Sequence, residues 1–216
     1  MKRIVNLVLL MLFHIFANAN DVLINGLNYN LNTKTESAEV IKGDYVYMGN
    51  VVIPEYVEYE DINYKVTGIG KEAFYKCSSM TSIIIGNGVE KIGDNAFSFC
   101  ENMTSVTIGE NVTSIGKGAF SYCKKLTSIT IPNSVTSVGT NLFSSCSGLT
   151  TAIIGNGLKK MGYGMFEYCS SLHSVTLGEN VTSIGQEAFH NCSKLTSITI
   201  PKSVSYINKS AFWDCI

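Results

Sequence analysis

The chain has 216 residues, 45% of them hydrophobic and 15% charged, with a formal net charge of −1 at pH 7. Lys2 and Arg3 supply two of its cations; from residue 20 onward 14 lysines and no arginine face 17 acidic residues, a net charge of −3. With no arginine fork for phosphate or guanine and no basic surplus, nucleic acid and anionic membrane surfaces are poor partners.

The first element in the chain is a segment built for removal. Lys2-Arg3 is followed by an apolar run from Ile4 to Phe16, interrupted by Asn6 and His14, and then by the small-residue site Ala17-Asn18-Ala19. That layout reads as a signal peptide over residues 1–19, cleaved after about Ala19 and too short to span a bilayer comfortably. No cysteine follows it, which argues against a lipid anchor. The expected location is secreted or cell-surface, with the periplasm as the alternative.

Residues 20–54 read as an N-terminal β cap. Asn25-Gly26 and Lys42-Gly43-Asp44 are turn signals between apolar-alternating runs such as Leu27 to Leu31 and Tyr45 to Ile53, which predicts a β-hairpin. Ile53-Pro54-Glu55-Tyr56-Val57 opens a first rung that is expanded between Val57 and Val66. A solenoid then fills residues 55–216.

The seven cysteines, Cys77, Cys100, Cys123, Cys146, Cys169, Cys192 and Cys215, stand 23 residues apart. A fixed interval of this size means stacked copies of one supersecondary unit. Six full units follow the expanded rung. Within each, apolar columns alternate over a short strand: Ile129 and Ile131 point inward, so Ser128 and Thr130 point out. Phenylalanine fills one column throughout: Phe97, Phe120, Phe143, Phe166, Phe189 and Phe212. The segment before each cysteine is short enough for one helical or 3₁₀ turn. Gly93, Gly116, Gly139, Gly162 and Gly185, with Asn208 in the sixth unit, are expected to need a left-handed backbone. One unit buries too little apolar surface to offset the entropy of ordering it, so stability must come from stacking. Residues 78–146 and 147–215 match at 37 of 69 aligned positions, the mark of a duplicated three-unit block. The chain ends at Ile216, directly after a cysteine, so the reading expects the array to continue or its end to be covered.

The pattern Cys-x-x-Leu-x-x-Ile-x-Ile-Pro-x-Ser-Val-x-x-Ile-Gly-x-x-Ala-Phe-x-x-Cys resembles the BspA-like leucine-rich repeat family, over residues 50–216. The resemblance implies a leucine-rich-repeat solenoid: β-rich, with a parallel strand sheet on one face, and with surface or secreted members, several of them adhesins.

The outward strand columns are the candidate binding face: Ser82, Ile84, Ser105, Thr107, Ser128, Thr130, Thr151, Ile153, Ser174, Thr176, Ser197 and Thr199. They read as a hydroxyl-rich, nearly uncharged groove for a protein or glycan, with Ile84 and Ile153 as apolar anchors, long but too shallow for a small molecule. Solvent-facing strand residues without a ligand would look the same, and flat Thr/Ser ladders can also match an ice or crystal lattice. The turns at Asn87, Glu110, Asn156 and Glu179 are the next candidates.

One cysteine per rung makes a line rather than a tetrahedron, so no metal and no cofactor is expected. Parallel side chains hold their Cβ atoms wider apart than a disulfide prefers, so the cysteines are expected to form a structural ladder of free, buried thiols. His190, two residues before Cys192, makes a Cys–His dyad imaginable, but residues two apart at a turn point differently; no enzyme is expected. Asn102, Asn111, Asn180, Asn191 and Asn208 fall in glycosylation-like triplets that a Ser/Thr-rich repeat generates by chance. The reading is an exported noncatalytic binding module, adhesin-like, for an extracellular protein or glycan. The alternative is a structural spacer or coat repeat without a specific ligand.

Overall fold

The structure is a computed structural model that describes residues 20–215; the expected signal segment, residues 1–19, and Ile216 lie outside the described residues. The chain opens with three antiparallel strands, β1 (Asp21–Ile24), β2 (Leu27–Asn32) and β3 (Ser37–Val40). Asn25 and Gly26 turn β1 into β2 with φ of 48° and 83°, the positive pair that a two-residue hairpin turn requires. β4 (Met48–Ile53) then starts the first rung, and β5 (Tyr56–Tyr59) pairs antiparallel with β6 (Ile62–Ile69), which accounts for the expansion there. β3 and β6 run parallel, so the hairpin is continuous with the solenoid rather than a detached lid.

From here every rung repeats. β7 (Ser79–Ile85), β9 (Ser105–Thr107), β11 (Ser128–Ile131), β13 (Thr151–Ile154) and β14 (Ser174–Thr176) form one parallel side. β8 (Lys91–Ile92), β10 (Ser114–Ile115), β12 (Ser137–Val138), β15 (Ser183–Ile184) and β16 (Tyr206–Ile207) form a second. Pairs 23 residues apart set the register, as in Ser128 opposite Thr151 and Ser114 opposite Ser137. The third side has no helix. It is a series of turns closed by i→i+3 bonds, such as Cys100 N to Phe97 O at 3.2 Å, and it too is hydrogen-bonded between rungs. The amides of Asn95, Phe97 and Phe99 donate to the carbonyls of Lys117, Ala119 and Ser121 at 2.7–2.9 Å.

The core between the three sides is a column of stacked rings. From Phe74 to Phe212 consecutive phenyl centroids lie 5.1–5.6 Å apart with interplanar angles of 6–13°. The cysteines stand beside them as free thiols. They do more than fill space. From Cys100 onward each Sγ donates to the phenylalanine carbonyl 26 residues earlier, for example Cys146 to Phe120 O at 3.0 Å. Burial raises the thiol pKa of Cys100, Cys123, Cys169 and Cys215, and that of Cys192 is pushed up to about 12.

The glycine column corrects the sequence reading. None of Gly93, Gly116, Gly139, Gly162, Gly185 and Asn208 has a positive φ. At the five glycines the preceding rung's backbone passes too close for a side chain. A Cβ would come 2.6 Å from Lys71 N at Gly93, 2.5 Å from Asp94 N at Gly116 and 2.5 Å from Gly162 O at Gly185. The left-handed residues lie on the turn side instead, two per rung: Asn95 and Phe99, Gly118 and Tyr122, Asn141 and Ser145, Gly164 and Tyr168, at 53–62°. The last rung is looser than the columns predict. Ile207 is 46% exposed, and Ile198, Ile200, Val204 and Phe212 are only partly covered, since no described rung packs beyond them.

Candidate binding surfaces

The parallel strand side presents the columns read from the sequence. Ile84, Ser105, Thr107, Ser128, Thr130, Ile153, Ser174 and Thr176 are exposed, and Ser82 and Thr151 half-buried, while Ile83, Ile129, Ile131, Ala152 and Val175 beneath them are buried. Two details differ from expectation. Ladder bonds run β4–β7–β9 and β11–β13–β14 but do not join the two groups. The sixth unit has no strand at residues 195–200, so Ser197 and Thr199 are exposed but off the sheet. There the side is not flat: a cavity of about 370 Å³ lies between the fifth and sixth units, lined among others by His173, Ser174, Thr176, Glu179, Ser197 and Thr199. The expectation of a uniformly shallow face fails at this end because the missing ladder bonds let the two rungs part.

The face also begins one rung earlier than the repeat suggested. β4 pairs with β7 so that Val52 stands beside Ile84 and Asn50 beside Ser82. Val52 is 56% exposed, Ile84 48% and Ile153 49%. Asn50 Oδ1 accepts from both Ser82 Oγ (2.7 Å) and Thr81 Oγ1 (3.0 Å). The alternation of Tyr45 to Ile53 was legible, but its pairing partner across the expansion was not.

The neighbouring threonine column is structural. Thr104 and Thr150 donate through Oγ1 to the carbonyl 23 residues earlier, as do Thr113, Thr136 and Thr182 on the second side. His173, in the same column as Thr150, is exposed and makes only a 3.4 Å contact to Ser171 O. The asparagine triplets have structural uses too. The side-chain amides of Asn102, Asn111 and Asn180 donate to the preceding rung at 2.7–2.9 Å, and the turn residues Asn87 and Asn156 cap the amides of Glu110 and Glu179.

The turn side gathers groups that no single column announced. Tyr75, Phe99 and Tyr122 pack in sequence, the last two parallel at 4.3 Å, and Tyr168, His190 and Trp213 form a second row. His190 does not serve a dyad. Its Nδ1 lies 3.4 Å from Glu167 Oε1 and its Nε2 3.9 Å from Asp214 Oδ2, while the Cys192 thiol is buried against Phe166 O. Tyr163 donates to Glu187, which holds that carboxyl below its usual range and pushes the phenol up to about 12. Ligand atoms of Glu167, Glu187 and His190 all lie within 4.8 Å of one another. That one-nitrogen, two-oxygen set could bridge a borderline divalent cation. The sequence reading missed this trio because its members come from two columns and two rungs. Among the described residues no helix is long and apolar enough to cross a membrane.

Comparison with known proteins gives one consistent picture. A family model described as BspA type leucine-rich repeat region matches six copies over residues 55–161 and 90–216. The fold is similar to a leucine-rich cell surface protein from Faecalibacterium prausnitzii, with 35% identity and a TM-score of 0.79, covering 90% of this chain and 52% of that one. It is also similar to the leucine-rich repeat protein of T. pallidum (26% identity, TM-score 0.76, 84% and 83% covered). A leucine-rich repeat protein from Bacteroides ovatus aligns at 28% identity and TM-score 0.64, over 86% of this chain and 55% of that one. The chain therefore spans about half the length of the first of these relatives. No curated protein matches it.

Proposed function

The chain belongs to the BspA-type leucine-rich repeat family, and on that premise we propose that it acts outside the cell as a noncatalytic, adhesin-like binding module whose strand side recognises a protein or glycan. The observation that carries this reading is the pattern on that side. Val52, Ile84 and Ile153 stand about half exposed on an otherwise hydroxyl-bearing surface. Ile84 and Ile153 are three rungs apart, roughly 14 Å at strand spacing. Apolar anchors separated by adaptable polar groups suit a broad contact with an extended partner. The signal-like residues 1–19 and the similarity to a leucine-rich cell surface protein of Faecalibacterium prausnitzii support the location. The cell-surface task then needs no reacting group.

The test is a binding screen of the full chain against immobilised extracellular-matrix proteins and defined glycans. Saturable binding with weak salt dependence is expected, because the candidate columns carry no charge. If nothing binds saturably, the array is a spacer or coat repeat.

A further inference from the structure

The turn side carries a row of rings with one interruption. Tyr75, Phe99, Tyr122, Tyr168, His190 and Trp213 each supply a ring to one rung, but the rung between Tyr122 and Tyr168 offers only Ser144 and Ser145. Phe99 and Tyr122 lie 5° from parallel, so the free face of Tyr122 looks along the stack toward the gap. Two rungs separate Tyr122 from Tyr168, about 10 Å at strand spacing. One ring placed midway would therefore stand about 5 Å from each wall. That matches the spacing of the core phenyls directly behind, 5.5 Å and 5.4 Å across the same two rungs. At that spacing the gap leaves room for one ring.

Its surroundings are polar. Two cavities, of about 430 Å³ and 250 Å³, share Tyr122, Ser145 and Tyr168 as walls and floor. The larger is rimmed by Lys124, Ser147, Ser170 and Asn191. Both tyrosines are accessible, 39% and 47% exposed.

We propose that this slot binds a pyranose ring of a glycan. A pyranose has two faces of C–H bonds and an edge of hydroxyls. The faces would stack on Tyr122 and Tyr168, and the edge would meet the hydroxyls of Ser145 and Ser147, the amide of Asn191 and the ammonium of Lys124. An apolar aromatic side chain fits the faces equally well, but its edge would desolvate those polar groups without replacing their hydrogen bonds. The site is distinct from the strand side, and its fate does not depend on that reading.

Ser145 offers an internal control. Its φ is 62°, against 59° at both Tyr122 and Tyr168, so a tyrosine is at home in this backbone. Ser145→Tyr should complete the ring row and close the slot. The experiment is saturation-transfer NMR of the full chain with glucose-, galactose-, mannose- and N-acetylglucosamine-terminated oligosaccharides, with N-acetyltryptophanamide as an aromatic control. At least one sugar series is expected to receive saturation. Its affinity should fall tenfold or more in Ser145→Tyr and Tyr168→Ala, and change less than twofold in Tyr168→Phe, which keeps the stacking face. Because Ser145→Tyr should melt no lower than the parent, loss of binding there cannot be ascribed to unfolding. Saturation of no sugar, of the tryptophan amide alone, or of sugars undiminished in Ser145→Tyr would overturn the proposal.

Discussion

The strand side and the turn side of this solenoid have diverged differently since the three-unit block was duplicated. Across the two copies, Ile84/Ile153, Ser105/Ser174, Thr107/Thr176, Ser128/Ser197 and Thr130/Thr199 are identical, and only Ser82/Thr151 differs. On the turn side Ser98/Glu167, Phe99/Tyr168, Ser121/His190, Tyr122/Asn191, Ser144/Trp213 and Ser145/Asp214 all differ. Both sides are hydrogen-bonded through the backbone, so backbone pairing alone does not explain the contrast. The strands present one repeated surface, whereas the turns vary from rung to rung. A repeated surface suits an extended partner that meets equivalent groups at each step. A varied one suits local sites such as the Tyr122–Tyr168 slot and the Glu167–Glu187–His190 trio.

Phe143 lies in the core stack that backs both sides, so Phe143→Ala should damage both, by about 3–5 kcal/mol in denaturant unfolding. A cost below about 1 kcal/mol would mean that the ring column does not hold the sides together. Two glycines two residues apart then separate close approach from left-handed backbone. Gly116→Ala drives a Cβ into the Asp94 backbone, whereas at Gly118, with φ 57°, a Cβ would meet only side-chain atoms, of Asn95 and Ser121. Gly116→Ala should cost on the order of 4 kcal/mol and Gly118→Ala about 1–2 kcal/mol. Equal costs would erase the distinction between close approach and left-handed backbone.

The thiols give a smaller, pH-dependent effect. Burial raises the folded value of Cys192 to about 12 from 9.0, so the stability it contributes is whole below pH 9 and is lost as pH rises from 9 toward 12. The limiting slope is roughly 1.4 kcal/mol per pH unit for each such thiol. Cys192→Ala should reduce the slope of stability against pH in that window, and an unchanged slope would count against a buried protonated ladder. Cys146→Ser should be mild. Phe120 O stands ready to accept from the new hydroxyl, so the cost should stay near 1 kcal/mol rather than that of an unpaired buried group.

The sequence carried the repeat, the inward and outward columns and the thiol ladder, because each depends on an interval within one column. It did not carry the reason for Gly116, since close approach is a property of two rungs rather than of one residue's φ. The bond from Cys146 to Phe120 O was hidden likewise, being made 26 residues away rather than 23. In the row Tyr168–His190–Trp213 the first ring stands one column over from the other two, so the 23-residue interval does not reveal the whole row. Val52 joined the face only through the pairing of β4 with β7 across an insertion that breaks the count.

The most direct test places lysines at Thr107, Thr130 and Thr176 together, in a chain whose partner the screen has identified. All three side chains are exposed and leave the core untouched, so the variant should keep its unfolding free energy within about 0.5 kcal/mol. The account predicts that its affinity for that partner falls at least tenfold, while Ser145→Tyr, measured beside it, leaves binding to the strand side unchanged. A folded triple variant that retains full affinity would contradict the assignment of recognition to the strand side.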